Sequence, residues 1–504
     1  MQPGWVTERT WHPHVGAMSI SPAVRRPFVL ASVMAAMFMI AIETTIVSTA
    51  MPQIAGQLGD LHLYAWVFAS FLLSQTATTV LFGKLSDLFG RKPVMLAGIA
   101  IFLLGTLLCG LAWSMPSLIV FRLVQGIGAG AIQPVCLTVV GDMYAVQERA
   151  KIQGWLASVW GVSSVAGPLA GGLVIEHMNW AWIFWINLPI GLAAAVGFAA
   201  FLHENVATRT RDMDLPGALL FAIAVSALMI ALTEAGTLDT TPAVIAAVVA
   251  VLSLVLFVRQ ELRVPEPMLS FGLWARRPIA TANLAVLLSG MVLMGLTTFV
   301  PMYVQGVLGR SPLVAGFALT MMVLGWSIGA TVAARSFVRF GLRPILLFGA
   351  GLLPVGALAF VLLGPESSPV LAGLGSAVVG LGMGFLNGAA IVIVQSSVGW
   401  AERGAATASN VFSRNLGSTL GATILGGVLN LSLSHGSGAQ VSYDQIRTML
   451  ERPGMSLADS AVRTALAEGL HLTFWGVLLC SLLTLACATL VPRVSFGQAP
   501  RGGG

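Results

Sequence analysis

Charge is what this chain lacks most. Only 9% of its 504 residues are Asp, Glu, Lys or Arg, where soluble domains carry about a quarter, so it cannot cover a globular surface with solvated groups. Cysteine is scarce as well. Cys109, Cys136, Cys480 and Cys487 all fall in apolar stretches, where neither a disulfide framework nor a metal-binding spacing can be read. None of the seven histidines falls at the middle of an apolar stretch, so no metal site is expected. The Gly-x-x-x-x-Gly-Lys-Ser/Thr loop that cradles nucleotide phosphates is missing. These absences argue against an intramembrane enzyme and against transport driven by bound ATP, and no cofactor is expected.

What the chain has in abundance is apolar surface. Apolar residues make up 57% of it and mean hydropathy is +0.88. Fourteen stretches of about 20 residues, the length a bilayer core requires, follow one another between residues 28 and 491, which makes this an all-α polytopic membrane protein. A net charge of +6 would suggest a nucleic-acid partner in a soluble chain. Here the basic residues sit in loops, twenty of the 26 on the side of the N-terminus and only Arg310, Arg447, Arg452 and Arg463 on the other. Basic residues resist translocation, so no nucleic-acid partner is expected and both termini are placed in the cytoplasm, with the chain in the inner cell membrane. Residues 1–27 have no apolar core or cleavage site of a secretory signal and are expected to form a cytoplasmic tail. Residues 492–504 form a second. The polar stretch 430–467 is expected outside, helical from Tyr443 to Glu451, and Trp113, Trp180, Trp182 and Trp185 are expected as interface anchors.

Between the second and third apolar stretches lies Gly83-Lys-Leu-Ser-Asp87-Leu-Phe-Gly90-Arg91-Lys92-Pro93. This hinge resembles the Gly-x-Leu-Ala-Asp-Arg-x-Gly-Arg-Lys signature of major facilitator superfamily transporters, departing from it at Ser86 and Leu88. Its Phe-Gly-Arg-Lys-Pro-Val segment recurs at Phe340-Gly341-Leu342-Arg343-Pro344-Ile345, and Glu148-Arg149-Ala150 recurs at Glu402-Arg403-Gly404, offsets of 251 and 254 residues. A parallel duplication explains both. The expected plan is six helices (28–202), an inserted helix pair with its linker (203–277) and six more helices (278–491). That 6+2+6 arrangement resembles the fourteen-helix drug:proton antiporter branch, the EmrB/QacA-like exporters. Glu43-Thr-Thr-Ile-Val-Ser-Thr-Ala-Met-Pro52, Asn179-Trp-Ala-Trp-Ile-Phe-Trp-Ile-Asn187-Leu-Pro189-Ile-Gly191 and Phe412-Ser-Arg414-Asn-Leu-Gly417-Ser-Thr-Leu-Gly421 resemble stretches of that branch in the same order.

Glu43 is the sole acid well inside a stretch, where a charge costs about 2.5–3.5 kcal/mol on insertion scales unless paired or wetted. It sheds that cost by holding a proton, so a carboxyl whose surroundings alternate can carry one. Arg122 opens Arg122-Leu-Val-Gln125-Gly126-Ile-Gly128-Ala-Gly130, similar to the superfamily's Arg-x-x-x-Gly-x-Gly. It is placed at a depth where it can meet Glu43 and help it release the proton. Structural readings stay open beside these: a carboxylate that binds cationic substrate, and an arginine that clamps helices. In the second half Val292 takes the place of Glu43 and Val338 that of Asp87, so coupling is expected in the N-terminal half alone, with a weaker second lock. Trp66, Gln75, Asn283, Asn387 and Arg414 are candidates for the substrate cavity, each open to a structural reading.

Ser163-Ser-Val-Ala-Gly167-Pro168-Leu-Ala-Gly171-Gly172 resembles the antiporter signature of the fifth helix, a proline kink beside a small-residue face. The resemblance assigns Gly83, Asp87, Gly90, Arg91 and Lys92 to a cytoplasmic gate in which Asp87 faces a helix N-terminus or an arginine across the two halves. It implies efflux of amphipathic, cationic or neutral compounds by alternating access, driven by the proton gradient. Export of one defined metabolite, a polytopic enzyme or a non-transporting sensor stay as alternatives, and a periplasmic adaptor is not identified.

Overall fold

The computed structural model describes residues 26–58, 64–144, 146–204, 214–234, 241–264, 271–310, 312–435 and 458–493. Of the expected tails 1–27 and 492–504, residues 1–25 and 494–504 lie outside these residues, as does the outer-loop segment 436–457 with its Tyr443–Glu451 helix.

The helices are α1 (Arg26–Leu58), α2 (Tyr64–Phe89), α3 (Arg91–Gly110), α4 (Met115–Met143), α5 (Val146–His177), α6 (Trp182–Trp185), α7 (Asn187–Phe201), α8 (Leu215–Glu234), α9 (Thr241–Glu261) and α10 (Phe271–Ala275). They continue with α11 (Arg277–Met302), α12 (Pro312–Phe340), α13 (Leu342–Val361), α14 (Pro369–Ser396), α15 (Arg403–His435) and α16 (Ala458–Thr489). Helices dominate because lipid offers backbone N–H and C=O groups no partner, so each must be satisfied within its own segment. Local signals set the ends. Ser114 and Ser117 form a reciprocal capping box at the start of α4, and the Ser368 side chain caps α14. Gly90 and Gly341 stand just before α3 and α13 with φ of 94° and 81°, which a side chain at either position would strain.

Among the described residues, eleven helical spans are long and apolar enough to cross a membrane. Parts of α5 and α15 face the other half, Gly154 against Thr331 of α12 and Gly404 against Gly83 of α2. The described apolar part of α8 is the short run Pro216–Leu228. The sixth span is broken at Ile186 into α6 and α7. Trp180, expected at an interface, is buried edge-on against Phe184, whereas Trp113 and Trp182 are exposed.

The duplication is visible in the packing. With the offset of 254 residues, Gly126, Gly128 and Gly130 of α4 fall on Gly380, Gly382 and Gly384 of α14. Gly128 abuts the backbone of Gly98 and Phe102, and Gly382 abuts Gly349, the residue that matches Gly98 at an offset of 251. Gly126 presses on Phe71 and Gly380 on Met322, again a matched pair. The N-terminal half has its own apolar core around Met39, Phe102 and Ile132, and the C-terminal half one around Leu296, Phe360 and Phe474. Helix α8 lies outside this symmetry. Its Phe221 packs against Phe257 of α9 and Phe412 of α15, beside Ala77 and Val80 of α2, so the inserted pair touches both halves.

Candidate functional site

A cavity of about 870 Å³ lies between the halves, walled by α1, α2, α4 and α5 on one side and α11, α12, α14 and α15 on the other. Trp66, Gln75, Asn387 and Arg414 are on its wall. Asn283 is not. Its amide donates to Ser409 Oγ at 2.8 Å and accepts from Asn410 Nδ2 at 3.0 Å, so it is spent joining α11 to α15, and Asn410 takes the place on the wall. Most of the wall is apolar, with Trp66, Trp160 and Trp326 as its largest rings and Arg414 as the single charged group among its described residues.

Glu43 and Arg122 meet inside the N-terminal half. Arg122 Nη1 donates to Glu43 Oε1 at 2.5 Å and to Gln125 Oε1 at 2.7 Å, its Nε donates to Val67 O at 3.2 Å, and its guanidinium lies 4.3 Å from the centre of the Phe71 ring. The other carboxylate oxygen accepts from Asn187 Nδ2 at 2.6 Å, and Gln125 passes the chain on to Thr106 Oγ1 at 2.8 Å. Glu43 is 0% exposed. It is not on the cavity wall, although the next two residues, Thr44 and Thr45, are. The carboxylate therefore faces neither hydrocarbon nor cavity here, but a polar nest built by α1, α2, α3, α4 and α7.

Gly167 brings α5 against Thr45 and Ile46 of α1, close to this nest, and Thr45 Oγ1 donates to Ser163 O at 3.1 Å. Gly171 is buried, and α5 stays helical through Pro168 and Gly172.

The charged hinge forms a lock between the halves. Asp87 receives the backbone N–H of Gly404 at 2.9 Å and of Ala405 at 2.8 Å, which places a carboxylate on the N-terminus of α15, where unpaired amides and the helix dipole favour negative charge. Arg91 ties Asp87 (2.9 Å) to Asp142 (3.1 Å), donates to Trp400 O at 3.1 Å and stacks 4.5 Å from the Trp400 ring. Asp142 is also held by Arg403 at 2.6 Å, and Gln395 Nε2 donates to Leu137 O at 3.2 Å. Gly83 permits this approach, since a Cβ there would collide with Ala408. Lys92 is outside the lock, with Nζ donating to Ala199 O at 2.7 Å. Its repeat counterpart Arg343 donates to Thr489 O at 3.0 Å. Glu204 Oε2 accepts from the backbone of Arg91 at 2.6 Å and of Lys92 at 3.1 Å, capping α3. Burial holds the Glu204 carboxyl above its ordinary value against those bonds and the Arg91 charge.

All these links between halves lie at the hinge end, and the cavity reaches away from it toward Trp66 and Gly426. The halves are thus shut at one end around a chamber between them. The model of the Major Facilitator Superfamily matches residues 33–422. The chain belongs to the major facilitator superfamily. It is similar to the multidrug transporter protein MdtP of Bacillus subtilis, 34% identical over 81% of this chain and 76% of that one. It is also similar to multidrug resistance protein 3 of the same organism, 31% identical over 92% of this chain and 94% of that one. Among solved structures, human MFSD10, titled an organic anion transporter, superposes with a TM-score of 0.64 at 16% identity, covering 92% of this chain and all of that one. That likeness speaks to the fold.

The protein is therefore a membrane transporter of small molecules and not an enzyme. Several residues of its site escape single-motif reading. Asn187 stands within the quoted Trp-Ile-Asn-Leu-Pro stretch, and only the break between α6 and α7 turns it toward Glu43. Asp142, Arg403 and Trp400 lie in loop-flanking positions where charge is ordinary. The recurrence of Glu148-Arg149 at Glu402-Arg403 was the available signal for Arg403.

Proposed function

We propose that this transporter is a proton-driven antiporter that exports amphipathic compounds across the cell membrane by alternating access, on the fourteen-helix drug-exporter plan, with Glu43 carrying the proton. The observation that carries the reading is the Glu43–Arg122–Asn187 cluster, a fully buried carboxylate paired at 2.5 Å with an arginine and at 2.6 Å with an amide. Such a pair is held by mutual attraction that a single proton cancels. On this reading the hinge end is cytoplasmic, so the arrangement seen is the outward-facing one. Protonation of Glu43 leaves Arg122 held by Gln125 and Val67 alone, loosens α1 against α4, and lowers the barrier to exchanging the lock at Asp87 for closure at the far end. Because α1, α2 and α4 both build the Glu43 nest and wall the cavity, substrate and proton act on the same helices.

Coupling requires that the proton bind one state more tightly than the other. Each proton brings about 1.4 kcal/mol per pH unit and about 2.3 kcal/mol per 100 mV, enough for one or two to sustain a steep substrate gradient. The relatives named for multidrug transport and resistance support the direction and breadth of transport. The test is proton efflux in everted vesicles with a panel of compounds. Wild type should dissipate the pH gradient on substrate addition, and Glu43→Gln should lose that response while keeping substrate binding. Undiminished coupling in Glu43→Gln removes Glu43 from the mechanism.

A further inference from the structure

Arg414 is a cation in the middle of α15, on the cavity wall, and among the described residues nothing accepts a hydrogen bond from its guanidinium. Every other arginine of the site is engaged: Arg122 by Glu43, Arg91 by Asp87 and Asp142, Arg403 by Asp142. The contrast is built into the helix packing. Behind Arg414, Gly290 of α11 presses on the Arg414 carbonyl, and Gly417 of α15 on the Leu287 carbonyl, so backbone meets backbone and no side chain fits between. Ser418 Oγ donates to that same Arg414 carbonyl at 3.1 Å. The backbone is pinned on one side of α15 and the side chain is left to the cavity on the other. No acid stands on the described wall to answer it.

An arginine at this depth is costly unless something neutralises it, and its planar fork suits a carboxylate or sulfonate taken up in two parallel hydrogen bonds. Asn410 on the same helix and Asn387 on α14 add amides to the cavity wall, and the Trp160 and Trp326 rings supply flat apolar surface. A cationic drug would meet a like charge with no acid on the described wall to offset it.

We propose that the cavity selects amphipathic organic anions, flat apolar bodies bearing one carboxylate or sulfonate, with the acid group seated on Arg414. This names the cargo class of the efflux reading above and rests on the central cavity being its substrate site. It also replaces the cationic or neutral cargo expected from sequence resemblance.

Binding decides it without a proton gradient. The full chain in zwitterionic nanodiscs is titrated with a matched pyrene series, the butyrate at a pH where it is ionised, the butanol and the butyltrimethylammonium, read by energy transfer from tryptophan. Wild type should hold the butyrate about tenfold or more tighter than the trimethylammonium compound, the effect of one charge-assisted hydrogen bond. Arg414→Gln should lose that preference and leave butanol binding unchanged, and Arg414→Lys should retain part of it. Equal or tighter binding of the cation to wild type overturns the proposal. So does a uniform loss of all three ligands in Arg414→Gln, which would mark Arg414 as a helix support. If Arg414→Gln fails to fold, the wild-type series and Arg414→Lys still give the answer. Anion-selective binding without proton exchange would leave this inference standing and defeat the antiport reading. Proton-coupled efflux of cations with no anion preference would do the reverse.

Discussion

The two halves share a scaffold and differ in charge. Glycines that let α3 meet α4 recur where α13 meets α14, and Gly90 and Gly341 make the same left-handed turn. Yet Glu43 answers to Val292, Arg122 to Ser376, Gln125 to Val379 and Arg91 to Leu342, and Val292 and Leu342 are buried in the apolar core of the second half. Duplication preserved what brings backbones together. The buried charges were not, so one half holds the Glu43–Arg122 nest and the lock's carboxylates while the other supplies a helix N-terminus, an arginine and the Trp400 ring for that lock to grip. The pseudosymmetry is mechanical, and the chemistry is one-sided.

The largest effect should come from making the first half resemble the second. Glu43→Val leaves Arg122 buried without a counter-charge and should cost about 3–5 kcal/mol of stability. The double variant Glu43→Val/Arg122→Ser, which copies the Val292 and Ser376 pair, should recover much of it. Thermal unfolding of the four proteins of this cycle measures the coupling, and additive losses would show that the pair is not a unit. Next in size is the lock. Asp87→Val, the residue of the second hinge, removes two charge-assisted hydrogen bonds to α15 and should shift the closed-to-open balance at the hinge end by about 2–3 kcal/mol. Spin-label distances between α2 and α15 at that end should broaden and lengthen, and an unchanged distribution would mean the lock is held elsewhere. Smallest is the difference between the copies where they agree. Gly128→Ala and Gly382→Ala should each destabilise by about 1–3 kcal/mol, because both force a methyl group onto backbone. Clearly unequal melts would show that the shared scaffold bears unequal load.

Much of this was open to sequence reading because membrane segments declare themselves by composition, and because an acid or arginine in such a segment has few tolerable surroundings. Glu43 and Arg122 stand out for that reason, as does the Gly83–Pro93 hinge. What stayed hidden depends on which way a helix is turned. Asn283 and Asn410 are alike as amides in apolar helices, and only packing shows that Asn410 is on the cavity wall while Asn283 binds Ser409. Asn187 reaches Glu43 through a helix break that no breaker residue at Ile186 announces. Arg414 was visible as a charge, but whether a partner waited for it was a three-dimensional question.

That unanswered guanidinium has a consequence for energetics under voltage. A monoanion leaving as one proton enters carries two elementary charges the same way across the bilayer, so a potential of 100 mV would supply about 4.6 kcal/mol per cycle. A monocation exchanged for one proton would draw nothing from it. Under the proposed antiport at one proton per cycle, a single side chain in the chamber would set whether the pump runs on acidity alone or as an electrical device that keeps turning when the two compartments share one pH.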